Sequence, residues 1–403
     1  MPQTALEELQ HVFSLLRLEQ RAELQLYQEQ MLQTALPERR KRGMTWYPLI
    51  ITETEVGYGQ KLILTLERTS HRGTPHSFQS GKVAALFAAV DGEASRELFV
   101  TGIVIKAKKD QIRLVLYGDD LPDWLEDGEI GLNLFYDETS YREMEFAMQR
   151  VMYAENNRLA ELREILLGFK PATFAEPTQP SPWFSELNPS QNEAVQWVSR
   201  ANDLAIVHGP PGTGKTTTLV RAIQWTLQTE SFVMDCAPSN TAADMLTEQL
   251  GNLGIRVVRI GHPARITERL HPYTLDTRIS KHREFKLLKQ LRKEAVQTRS
   301  HAMKFKRTFG PKDRTERREQ LAQIKDILKN ARQLEKTIVA EVLASAQVVT
   351  CTLVGAAHEL LHDKFFSTVF IDEAAQALEC ACWIPIMRAG RVVLALEVVA
   401  EHE

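Results

Sequence analysis

The residues best equipped for chemistry lie between positions 205 and 218, where Ala205-Ile206-Val207-His208 runs into Gly209-Pro210-Pro211-Gly212-Thr213-Gly214-Lys215-Thr216-Thr217-Thr218. An apolar run that empties into a glycine-rich turn and then into a helix gathers backbone N–H groups around an anion. The positive end of the helix dipole aims at the same point. Gly209, Gly214, Lys215 and Thr216 keep the G-x-x-x-x-G-K-[ST] spacing of a phosphate-binding loop. In that geometry Lys215 reaches the β- and γ-phosphates and Thr216 puts its hydroxyl on Mg²⁺, while Gly212, Thr213 and Thr217 complete the cradle. A Gly-Pro turn joining a strand to a helix is the plain alternative; it does not require every motif position to be present, and here every one is.

A second constellation lies about 150 residues later, at Phe370-Ile371-Asp372-Glu373. Two carboxylates that end an apolar strand suit the other half of such a site. Asp372 can hold Mg²⁺ through its water shell, and Glu373 can take the proton of an attacking water. Phosphoryl transfer needs mainly positioning and charge neutralisation, so Lys215, Asp372 and Glu373 are the expected catalytic set, with ATP and Mg²⁺ as cofactors. An Asp-Glu pair after an apolar strand is common by chance. Behind a complete phosphate loop it favours hydrolysis over binding alone.

These residues need a scaffold. From Leu204 onward, apolar runs alternate with helical segments, with strands expected at Phe232–Ala237, Arg256–Ile260, Gln347–Cys351, Thr368–Ile371 and Arg391–Ala395. That alternation predicts an α/β fold, a parallel sheet covered on both faces that binds ligands beyond the carboxyl ends of its strands. Upstream, Leu6, Leu9, Phe13, Leu16, Leu24, Tyr27 and Met31 recur at three-and-four spacing, which predicts one helix over the first forty residues. A second helical stretch near 140–168 would lie against it, so that 1–42 and 138–170 form a two-helix stalk. Between them, 43–137 is rich in short alternating runs such as Gln111–Leu116, separated by turns, and reads as a small β-barrel. Four prolines between 171 and 184 mark a linker, and 185–403 is the nucleotide-binding domain.

Within that domain, 268–340 reads as a helical insertion with a break at Gly310-Pro311. From Lys281 to Ala340 there are 18 lysines and arginines against 7 acids, an excess of +11, which leaves −14 for the rest of a chain whose formal charge is −3. So local an excess suggests a polyanion partner at one face, although most charge runs are merely solvated. Cys236, Cys351, Cys380 and Cys382 show no zinc spacing and lie in or beside apolar runs, which suits reduced thiols in a cytoplasmic or nuclear protein. No apolar run approaches the ~20 residues that a membrane span needs, so no membrane partner is expected.

Several phosphate-loop classes share these two motifs. The chain resembles the superfamily 1B helicases of the nonsense-mediated-decay and immunoglobulin-mu-binding-protein type in its further motifs. Leu187-Asn188-Pro189-Ser190-Gln191 is similar to the family's Q motif, which implies that Gln191 reads adenine. Ala237-Pro238-Ser239-Asn240-Thr241-Ala242-Ala243-Asp244 resembles motif Ia, Arg259-Ile260-Gly261-His262-Pro263-Ala264-Arg265 motif Ib, and Val349-Thr350-Cys351-Thr352 the next strand-binding motif. By that resemblance Pro238, Ser239, Asn240, Arg259, Thr350 and Thr352 contact a bound single strand. Asp372-Glu373-Ala374-Ala375-Gln376 is similar to motif II, and Gln376 joins the nucleotide-binding set. The resemblance implies a RecA-like domain, single-stranded RNA or DNA as partner, and ATP-driven 5′-to-3′ translocation and unwinding.

The family continues after its sixth strand with Gly-Asp-x-x-Gln-Leu-Pro-Pro. Here Leu394-Ala395 is followed by Leu396-Glu397-Val398-Val399-Ala400-Glu401-His402-Glu403. The expectation is therefore the N-terminal part of a helicase, without the second RecA-like domain that motor activity needs. An arginine finger supplied by such a domain is worth about 10³–10⁵ in turnover, so nucleotide binding would outlast most of the hydrolysis. A nucleotide-dependent single-strand binder without motor activity is the alternative from another class. A small-molecule kinase or AAA+ unloader is a third, in which neither Gln191 nor Pro238-Ser239-Asn240 is expected.

Overall fold

The structure is a computed structural model, and it describes residues 4–56, 61–90, 93–117, 121–122, 124–127, 129–177, 180–261, 266–302 and 311–397. Helix α1 (Ala5–Tyr27) starts where the Thr4 hydroxyl accepts the Glu7 N–H at 3.2 Å, with Glu7 and Glu8 at the positive end of its dipole. The single forty-residue helix read from periodicity is corrected. The α-helical turns stop at Tyr27, a π-helical segment covers Gln28–Leu32, and a new helix, α2 (Leu36–Lys41), follows. Pro37 explains the restart, because a proline is tolerated in the first turn of a helix and not in its interior; it stands there behind an extended Ala35. Leu9, Leu16 and Met31 are buried as their spacing implies, whereas Leu24 stands in solvent.

Six antiparallel strands then close into a barrel. They are β1 (Thr45–Val56), β2 (Leu62–Arg68), β3 (Val83–Val90), β4 (Glu93–Ala107), β5 (Gln111–Leu116) and, after the one-turn helix α3 (Trp124–Asp127), β6 (Ile130–Leu134). The spatial order is β1-β2-β5-β4-β3-β6. Ile112, Leu114 and Leu116 alternate inward with period two and meet Leu64, Leu66, Leu86 and Leu132 around a buried Trp46. Both β1 and β6 escape a reading by alternation, because Pro48 and two irregularities of register interrupt β1 and Gly131 sits inside the short β6.

The second helical stretch is two helices, α4 (Glu138–Met152) and α5 (Arg158–Leu166). Asn156 takes a left-handed φ of +52° and Asn157 caps α5 by accepting the Ala160 N–H at 3.0 Å, which stops one helix and starts the next. The α4 helix packs against α1, with Arg17 and Glu145 paired across them at 3.4 Å.

The parallel sheet and its helices begin with α6 (Pro189–Arg200), β7 (Leu204–His208), α7 (Lys215–Thr226), β8 (Val233–Ala237), α8 (Asn240–Asn252) and β9 (Val257–Arg259). A separate compact unit, Pro272–Ala346, comes next. It contains α9 (Leu275–Ser280), α10 (Phe285–Ala302) and α11 (Pro311–Ser345). Within it, Arg292 and Glu335 join α10 to α11 at 2.7 Å over buried Leu288, Ala331 and Ile338. Pro311 opens α11; Gly310, the other half of the expected break, lies outside the described residues.

The chain then completes the sheet with β10 (Val348–Thr352), β11 (Phe366–Ile371), α12 (Glu379–Ile386) and β12 (Ala389–Leu396). The order is β7-β12-β11-β8-β10-β9, with every pair parallel. All six strands therefore end on one edge, and the segments that follow β7, β8, β10 and β11 meet there. Cys236, Cys351 and Cys380 are buried and all four thiols are free, with Cys236 and Cys351 Sγ atoms 3.5 Å apart on neighbouring strands. No helix among the described residues is long and apolar enough to cross a membrane.

Candidate functional site

The loop between β7 and α7 takes its shape from its glycines. Gly212 and Gly214 hold φ of +77° and +80°, in the left-handed region where a side chain is strained. Gly214 has a second constraint: a Cβ there would stand 2.7 Å from Gln191 Nε2. Gln191 itself is doubly engaged. Its Oε1 accepts the Asn188 N–H at 3.0 Å while Asn188 Oδ1 accepts the Gln191 N–H at 2.9 Å, a reciprocal cap on α6. Its Nε2 donates to the Thr213 carbonyl at 2.9 Å. The glutamine is thus bound directly to the phosphate loop.

Lys215 opens α7, and its ammonium donates to the Pro210 carbonyl at 2.9 Å and pairs with Glu397 at 3.4 Å. Thr217 is exposed in the first turn and Thr213 at the loop's tip. Thr216 Oγ1 donates to Asp372 Oδ2 at 2.9 Å, across 156 positions of sequence. Asp372 is nearly fully buried, and its other oxygen accepts the N–H of Glu373 at 3.0 Å. Burial raises the Asp372 carboxyl above the usual carboxylate range against the pull of Thr216, the Glu373 N–H and Lys215. Glu373 is raised as well, by burial first and then by the charges of Asp372 and Glu397. Its backbone sits at a left-handed φ of +52°, which turns the chain off the strand end, and Gln376 follows with its side chain in solvent.

A hydroxyl and a carboxylate oxygen that converge in this way are hard ligands of the kind Mg²⁺ uses, few in number because phosphates and water fill the remaining positions. The donor set therefore fits Mg²⁺, and Thr216 and Asp372 are the residues that would hold it.

A family profile described as AAA domain (AAA_11) matches residues 186–395, more than half of the chain. The chain belongs to this family, as a superfamily 1B helicase of the Upf1 and immunoglobulin-mu-binding-protein type. DNA-binding protein SMUBP-2 of Mesocricetus auratus is 30% identical over 397 residues, which cover 94% of this chain and 39% of that protein. DNA polymerase alpha-associated DNA helicase A of Schizosaccharomyces pombe is 28% identical over 371 residues, 88% of this chain and 55% of that one. ATP-dependent helicase upf1 of the same yeast is 31% identical over 334 residues, 78% and 33% respectively. The chain thus spans between a third and just over half of the length of these relatives.

The residues that the helicase motifs assign to a nucleic-acid strand divide into two groups. Pro238, Ser239 and Asn240 follow β8 and Thr352 ends β10, on the same edge as the phosphate loop; each retains some exposure. Ser239 caps α8 by accepting the Ala242 N–H at 3.1 Å, and Thr352 Oγ1 accepts the Gly355 N–H at 3.1 Å. Arg259 and Thr350 differ from these four in being fully buried, with partners in place. Arg259 donates to Asp244 at 3.0 Å, to Asn240 Oδ1 at 3.1 Å and to the Ile260 carbonyl at 2.7 Å, so it braces the motif Ia loop from beneath. The Thr350 hydroxyl shares a 2.6 Å hydrogen bond with Thr247 of α8. His262 to Arg265, the rest of motif Ib, lie outside the described residues.

Two acids that matter were not assigned a role from sequence. Glu397 meets Lys215, and nothing in its sequence position signalled this. Asp235 lies wholly inside the sheet on β8 with neither oxygen hydrogen-bonded, and burial, then the charges of Asp372 and Cys351, hold its carboxyl far above the usual range. Its signal was legible: an acid in the middle of the apolar run Phe232-Val233-Met234-Asp235-Cys236-Ala237.

Proposed function

We propose that this chain binds Mg-ATP at the β7–α7 loop and a single strand of RNA or DNA along the carboxyl edge of the sheet, as the nucleotide-binding half of an ATP-driven helicase. The observation that carries the proposal is the 2.9 Å bond between Thr216 and Asp372, which brings the two halves of a metal-nucleotide site together from distant parts of the sequence. Bound Mg²⁺ would supply charge neutralisation on the phosphates. The chain's residues do the rest. Loop amides and Lys215 hold the phosphates, Gln191 couples the adenine side to the loop through Thr213, and Glu373 takes a proton from water held next to it. Ser239, Asn240 and Thr352 offer polar groups to a strand's backbone, and the basic Pro272–Ala346 unit offers further cations. Relatives named as DNA-binding protein and as ATP-dependent helicase support the reading.

A second reading, nucleotide-dependent strand binding without turnover, is favoured by the Glu397 carboxylate on Lys215. An anion there competes with the terminal phosphate for the same ammonium. Calorimetry with Mg-ADP and a non-hydrolysable ATP analogue, followed by phosphate release with and without oligonucleotide, separates the two. Binding with strand-stimulated release supports the helicase half; binding with no stimulated release supports the second reading. Absence of any nucleotide binding by the folded chain overturns both.

A further inference from the structure

The loop that leads into α6 is held from behind by Asn192, a residue with no role assigned above. Asn192 follows Gln191 on α6 and is fully buried, although asparagine mostly stays in solvent. Its amide satisfies both backbone groups of one residue: Oδ1 accepts the Phe184 N–H at 2.7 Å, and Nδ2 donates to the Phe184 carbonyl at 2.9 Å. The same nitrogen reaches the carbonyls of Leu187 at 3.0 Å and Asn188 at 3.2 Å. One side chain thus fixes the path of residues 184–188.

The loop is tied to α7 as well. Arg221 pairs with Glu186 at 2.6 Å, stands 5.5 Å over the Phe184 ring and donates to Gln224 Oε1 at 2.7 Å. Gln196, one turn beyond Asn192, donates to the Pro182 carbonyl at 3.2 Å. Residues 182–188 are therefore clamped by the helix they start and by the helix that follows the phosphate loop. The clamp bears on the Gln191 amide, whose Oε1 takes the Asn188 N–H while Nε2 gives a hydrogen to the Thr213 carbonyl. A flipped amide would set N–H against N–H at Asn188 and oxygen against oxygen at Thr213, so these two partners decide its orientation. One lone pair and one N–H are left over. They match the N6 amino group and N7 of adenine and mismatch the O6 of guanine.

We infer that Asn192, backed by Arg221, is a positioning residue for base selection. It fixes residues 184–188 so that Asn188 presents its N–H to Gln191 and holds the amide in the orientation that selects adenine over guanine. The inference rests on the nucleotide-binding reading above. Asn192 is itself sealed from any ligand, so it acts only through Asn188 and Gln191. Its influence falls on the base and spares the phosphates, which the loop amides and Lys215 hold without it.

The test is calorimetry on the whole chain with Mg-ADP, Mg-GDP and Mg-tripolyphosphate, which has phosphates but no base, alongside melting curves to establish folding. Disturbing one base-reading amide removes about one hydrogen bond, so Asn192→Ala weakens Mg-ADP about tenfold and Arg221→Ala about threefold. Both variants lower the preference for ADP over GDP and leave tripolyphosphate unchanged. Gln191→Ala shows the same selective loss, and adding Asn192→Ala to it weakens Mg-ADP no further, as two residues acting in series require. A parallel loss of all three ligands, or additive losses in the double variant, makes Asn192 a fold residue only and overturns the inference. An unaltered ADP/GDP ratio in the variants overturns it too. If Asn192→Ala does not fold, Arg221→Ala, which removes a partly exposed side chain, decides alone. A wild-type chain that binds ADP and GDP equally sinks the inference and leaves the nucleotide reading standing; one that binds neither sinks both.

Discussion

Two aspartates, both beyond the carboxyl end of strand β8 or its neighbour β11, show how one residue type serves structure in one place and chemistry in another. Asp244 is saturated: Arg259 reaches it at 3.0 Å and Thr267 donates to it twice, at 2.8 Å from its N–H and 2.7 Å from its hydroxyl. Asp372 is at least as buried but has only a hydroxyl and one N–H in hydrogen-bond contact, and no cation paired with it. Beneath it Asp235 has no hydrogen-bond partner at all. The paired cluster holds a loop in place. The under-coordinated cluster keeps acid character that a divalent cation can satisfy.

The largest separation of the two should come from Glu373→Gln, which keeps size and hydrogen bonding but removes the base. We expect oligonucleotide-stimulated ATP turnover to fall by about 10²–10⁴ while Mg-nucleotide affinity persists. Turnover at the wild-type rate removes Glu373 from its role. Asp244→Ala acts on the other side of the comparison. It strands a buried guanidinium and should destabilise the fold by about 3–5 kcal/mol in denaturant unfolding. A loss below 1 kcal/mol would mean that the Arg259 cluster is not structural.

Asp235→Val removes a buried carboxyl that has no hydrogen-bond partner and should stabilise the chain by about 1–3 kcal/mol at neutral pH. The sign follows from linkage. A carboxyl whose folded pKa is raised binds more protons in the folded state than in the unfolded state, so stability falls as pH rises from the unfolded pKa towards the folded one. The advantage of Asp235→Val over wild type should therefore widen from pH 4 to pH 8, and a constant gap in melting temperature contradicts the buried-acid account. Asp372 is shifted in the same direction, and only its ionised form can hold a cation. Mg-nucleotide affinity should thus fall on acidification before an ordinary carboxylate would titrate, approaching about tenfold per pH unit, as read by calorimetry. The smallest effect is expected from Glu397→Gln. Relieving Lys215 of its carboxylate should raise nucleotide affinity by roughly three- to tenfold; unchanged affinity would make the 3.4 Å pair incidental.

Much of the site was written in local sequence, because its chemistry depends on short spacings. Gly209 to Thr216 encodes a backbone path, and the apolar run before Asp372 encodes a strand that must end at that acid. The parallel sheet was equally legible from alternation, since each buried strand is a continuous apolar run. Local rules failed where one residue reset the geometry. Pro37 restarted the first helix as a second one, Asn156-Asn157 split the next, and Pro48 concealed the first barrel strand.

What tertiary structure alone decided was which side chains meet and which of them reach solvent. Motif strings place Arg259 and Thr350 beside Ser239 and Asn240 as equals. The sheet order β8-β10-β9 turns the first two inward onto Asp244 and Thr247, because burial depends on what packs above a strand and not on the strand's own letters. Sequence determined the chemistry that is local along the chain; the fold determined the charges and contacts that are local only in space.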